Sequence, residues 1–88
     1  MSTGDEAVIV VQLSGVAEYD TLREVVNQLA GLLVARQRAA APADADGWRL
    51  EHRALRDGLD QIQPGTPEAG AALREWSRRL AELRQAGP

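Results

Sequence analysis

The apolar positions of this chain fall into three stretches of helical spacing and one stretch of a different kind. In residues 22–38, LREVVNQLAGLLVARQR, the bulky residues Leu22, Val25, Val26, Leu29, Leu32 and Leu33 recur three and four apart, and no charge interrupts residues 25–35. This predicts a central first helix, residues 16–39, because Val16 and Tyr19 already keep the spacing. Thr21-Leu-Arg-Glu24 has the form of a capping box and marks a later alternative start. A second helix is predicted over residues 46–63, with Trp48, Leu55, Leu59 and Ile62 on one face. A third covers 66–86, with Ala69, Leu73, Trp76, Leu80 and Leu83 facing inward.

The punctuation agrees with this division. Residues 39–47, AAAPADADG, read as a helix end and a loop, and Gln63-Pro64-Gly65 reads as a turn. Thr66 is placed as an N-cap, with Pro67 at the first helical position, where its missing N–H costs nothing. Arg53 with Asp57, Arg56 with Asp60, Glu75 with Arg79 and Arg78 with Glu82 are spaced as i, i+4 pairs on the wet faces.

The fourth stretch is residues 7–13, AVIVVQL, whose consecutive β-branched Val8, Ile9, Val10 and Val11 favour an extended strand stopped by Ser14-Gly15. No second strand-like run exists, and a lone strand leaves its backbone unpaired. Three outcomes stay open: pairing with the same strand of another copy, addition to a sheet of another protein, or the first turns of a longer helix. The fold predicted is all-α: a small three-helix bundle in up-down-up order, residues 7–86, preceded by a short extended segment at 7–13 and a flexible N-terminus at 1–6.

Length and composition change the picture in one respect. A chain of 88 residues without Phe or Cys buries only about 60–65% of its unfolded surface and has no disulfide to help, so a partner or a second copy is a plausible source of stability. The absence of Cys and of a basic, cleavable leader at MSTGDEAV points to the cytoplasm, and the uncharged run is far shorter than the ~20 residues of a bilayer span. All ten basic residues are Arg, which we read as the coding bias of a GC-rich bacterium. The net charge of −3, without a dense basic stripe, argues against nucleic-acid binding.

Candidate chemistry is sparse. His52 is the single histidine and has no neighbour suited to metal or acid–base work; no metal ligand set, cofactor motif or nucleophile with an adjacent base is present. Arg49, Arg53 and Arg56 share one side of the second helix and could meet an anion, though Asp57 and Asp60 lie beside them.

The stretch LREVVNQLAGLLVARQRAA resembles the opening helix of the helical chorismate mutases, which also begin with Leu-Arg and continue as a leucine-rich helix ending in Arg. The resemblance covers about a fifth of the chain and implies a small helical enzyme. That family uses a Lys in its site, and this sequence has none and no matching Glu or Gln in the later helices.

What remains is surface. Asn27, Gly31 and Ala35 recur every fourth residue on the side of the first helix opposite its bulky face, flanked by Ala30 and Val34. With Val8, Ile9, Val10, Val11 and Leu13 of the extended segment, and with Trp48 at the entrance of the second helix, Asn27, Gly31, Val34 and Ala35 are the predicted partner-binding residues. The reading is a non-catalytic bacterial interaction module, an antitoxin or immunity protein or an accessory subunit, with a self-assembling homodimer and a small enzyme as the alternatives.

Overall fold

The computed structural model of the chain describes residues 3–86 and, of these, the side chains from Gly15 to Ala86. Three helices follow one another, α1 (Thr3–Ala39), α2 (Pro42–Asp60) and α3 (Pro67–Ala86), and no strand occurs among the described residues. The extended segment predicted at residues 7–13 falls within the bounds of α1, and its side chains lie outside the described residues.

Gly15, expected with Ser14 to close that segment, gives room to the turn between α2 and α3: a β-carbon added there would stand 3.1 Å from the Gly65 Cα. Gly65 itself has a φ of +78°, the left-handed conformation that this turn requires of it. The capping box predicted at Thr21 is also absent, because α1 runs through it; the Thr21 hydroxyl donates back to the Ala17 carbonyl at 3.0 Å.

The loop between α1 and α2 is shorter than the Ala-rich sequence suggests. Ala41 is extended (φ −62°, ψ 153°), as a residue before proline prefers, and Pro42 opens α2. The Ala41 carbonyl accepts from Asp44 N at 2.9 Å and Ala45 N at 3.0 Å, so α2 gains a turn before the predicted start at Asp46. The start of α3 is as the sequence predicts: the Thr66 hydroxyl accepts from Ala69 N at 3.4 Å and donates to the Gln63 carbonyl at 2.7 Å.

The core is built on α1. Leu22, Val26, Leu29, Ala30 and Leu33 are buried there, against Leu55 of α2 and Ala69, Leu80 and Leu83 of α3. Both later helices pack on α1, but no Cα of α2 comes within 8 Å of one in α3. The two are joined only across a gap, by side chains long enough to span it. No helix among the described residues is long and apolar enough to cross a membrane.

Candidate functional site

α1 has three sides with different fates. Two of them meet α2 and α3, which both pack on α1. On the third, Asn27, Gly31 and Ala35 are exposed and Val34 is half-buried. A β-carbon built on Gly31 meets nothing within 4 Å, so no part of the described chain covers this position. Asp20 and Arg38 lie on the same side, one toward each end, and both are exposed. Of the other predicted partner-binding residues, Val8, Ile9, Val10, Val11 and Leu13 lie outside the described side chains.

Trp48 sits elsewhere. It is half-buried against the core, and the Arg79 guanidinium lies over its ring, 5.8 Å from the centroid. Arg79 also reaches Glu51 through two hydrogen bonds, Nε to Oε2 at 2.7 Å and Nη2 to Oε1 at 2.8 Å. The Glu51 carboxylate raises the Arg79 pKa above its ordinary value by hydrogen-bonding to the charged form, against the opposing effect of partial burial. The sequence spacing places Arg79 with Glu75 on its own helix; in the structure Arg78 takes Glu75 and also Glu82, the latter at 2.7 Å as predicted.

The Glu51–Arg79 bridge parts two open clefts between α2 and α3. One, of about 450 Å³, has Leu29, Leu55 and Trp76 in its walls together with Glu75, Arg78 and Glu82. The other, of about 480 Å³, is lined by Ala40, Asp44, Gly47 and Trp48 beside the bridge itself. In the larger group of charges every Arg already faces a Glu, so those walls offer a ligand little uncompensated charge.

The outer face of α2 carries Arg49, Arg53 and Arg56, all exposed, with Leu50 63% exposed among them. Arg49 pairs with Asp46 at 2.9 Å. The Arg53–Asp57 and Arg56–Asp60 pairs expected from spacing do not close, since the ion pairs of the described residues on this helix are Arg49–Asp46 and Glu51–Arg79. His52 is half-buried, and no group of three or more His, Cys, Asp or Glu suited to a metal ion occurs among the described residues.

Sequence reasoning missed the Glu51–Arg79 bridge. Its signal was present in part: Glu51 follows Trp48 by three residues, which puts the two one helical turn apart and brings a single cation within reach of both.

In comparisons with protein families, curated proteins and solved structures, the chain matches none.

Proposed function

We propose that this chain is a non-catalytic protein-interaction module that binds through the third side of α1. The observation that carries the reading is the open ground around Gly31, midway along the helix on which the rest of the molecule is built. A glycine inside a helix costs about 1 kcal/mol relative to alanine, and no neighbour within the described chain accounts for it. The missing side chain leaves room for another helix to approach closely. The apolar residues Val8, Ile9, Val10, Val11 and Leu13 extend the reading on sequence grounds alone.

Within this class, the roles we propose are those of an antitoxin, an immunity protein or an accessory subunit of a bacterial cytoplasmic complex, by analogy with other small acidic helical proteins and whichever chain occupies α1. The test is site-specific photo-crosslinking in cells. A crosslinker at Ala35 should give a discrete protein adduct, and one at Asp57, on the outer face of α2, should not. Equal labelling from both positions, or none from Ala35, would remove α1 as the binding surface. Val10→Asp should weaken the same association while leaving helicity by circular dichroism in place.

The self-assembling homodimer is the second reading. It is favoured by one specific observation, the placing of charges at the two ends of the same side.

A further inference from the structure

We infer that the occupant of the third side of α1 is a second copy of this chain, docked antiparallel, with Asp20 of one protomer against the partner's Arg38 and Arg38 against the partner's Asp20. The inference rests on the reading of α1 as the binding surface and names what binds there.

The argument is one of charge and register. At 3.6 residues per turn, Asp20, Asn27, Gly31 and Arg38 fall within an arc of about 40° on the helix. Asp20 and Arg38 are both exposed, and neither enters an ion pair among the described residues. One end of the side is therefore negative and the other positive. A parallel copy would set like charge against like; an antiparallel copy sets each against its opposite.

The register is then fixed. Asp20 and Arg38 are equally distant from position 29, and so are Asn27 and Gly31. A two-fold axis passing beside that position brings both charge pairs together, each about 14 Å from the axis at 1.5 Å per residue. The same operation lays Asn27 over the partner's Gly31, where the missing side chain leaves room for it. The remaining charges near this register come in both signs, with Arg23 three residues along the axis from the partner's Arg38 and Glu24 four from it. Glu24 comes level with the partner's Val34, one turn from the partner's Arg38, while Arg23 comes level with the partner's Ala35.

An isologous contact of this kind is self-complementary in a way that a surface evolved for an unrelated protein need not be. Its pairs are solvent-exposed at their rims, so the association weakens as salt rises.

The test is a charge swap on the full chain, read by sedimentation equilibrium across a concentration series. The wild type should approach twice the 9.5 kDa of one chain. Asp20→Arg alone and Arg38→Asp alone each turn two attractive contacts into repulsive ones and should raise the dimer Kd by about tenfold or more. An equimolar mixture of the two variants should recover wild-type association, because in the mixed pair position 20 of each chain again faces a position 38 of opposite charge. Both positions are exposed, so the helicity of each variant by circular dichroism should match that of the wild type.

A wild type that stays at one chain mass throughout overturns the inference, and so does a dimer whose Kd neither variant moves or whose mixture fails to recover. If the wild type is monomeric while the crosslinker at Ala35 captures a different protein, the occupant is wrong and the surface stands; if neither occurs, both fall.

Discussion

Glu51 and Arg79 hold α2 and α3 together across a space that the two backbones do not close. The carboxylate and guanidinium meet through two hydrogen bonds of 2.7 and 2.8 Å, and the Arg79 guanidinium lies over Trp48 at 5.8 Å. The two side chains are 31% and 34% exposed, so the pair is neither a screened surface contact nor a fully desolvated one. Its paired geometry makes it stronger than the single-point pairs of the wet faces.

Arg79→Ala should therefore destabilise the fold by about 1–2 kcal/mol, combining the lost hydrogen bonds with the lost cover over Trp48. Arg79→Lys should recover only part of this, since an ammonium cannot reproduce the paired contact. Urea denaturation followed by Trp fluorescence measures both. Equal stability of Arg79→Ala and the wild type would show that the bridge contributes nothing to holding α2 and α3 together.

The glycines give a prediction of sign. Gly31→Ala fills open space and should raise the intrinsic stability of the folded monomer by about 1 kcal/mol. Gly58→Ala brings its new methyl to 3.1 Å from Cζ2 of Trp76, so it should gain less. Gly15→Ala meets the Gly65 backbone at 3.1 Å, which cannot rotate away, and should destabilise. Denaturation midpoints, taken at concentrations low enough to keep each variant monomeric, should rank in that order.

Leu29→Ala and Leu33→Ala remove side chains buried at the centre of α1. Each should cost about 2–5 kcal/mol, a loss that so small a domain is poorly placed to absorb. Loss of cooperative thermal unfolding by circular dichroism is the expected result, and retention of wild-type midpoints would contradict the core as described.

Glu75 offers a test by titration. The Arg78 side chain hydrogen-bonds to its carboxylate and attracts its charge, which lowers the pKa from the ordinary 4.5. A carboxyl whose folded pKa is depressed stabilises the fold above its unfolded value and loses that contribution as the pH falls through the folded one. Carbon-detected NMR should find Glu75 below 4.5, and Arg78→Ala should return it toward that value. An unchanged titration in the variant would mean the contact is not populated in solution.

Much of the fold was legible because it depends on local chemistry. The spacing of Leu22, Val26, Leu29 and Leu33 places all four in the core, and Thr66-Pro67 marks the start of α3 within a residue. Elsewhere the surroundings of a residue decide between readings that its type alone leaves open. Pro42 reads as a breaker from one side and serves as a helix opener from the other. Arg79 could be assigned to Glu75 by spacing, whereas only the packing of α2 and α3 on α1 brings Glu51 within reach. The exposed side of α1 was visible in the sequence as Asn27, Gly31 and Ala35, because exposure on a helix follows from periodicity. Its charged ends emerge only when Asp20 and Arg38 are projected onto that same side.

The measurement that bears most directly on α1 as an association surface is the sedimentation of Gly31→Arg beside the wild type. On this account the substitution keeps the helix, fills the open side with a long charged side chain and leaves a folded monomer, while the wild type associates. A Gly31→Arg variant that associates as the wild type does, with the same dependence on concentration, would show that the third side of α1 is not where the molecule binds.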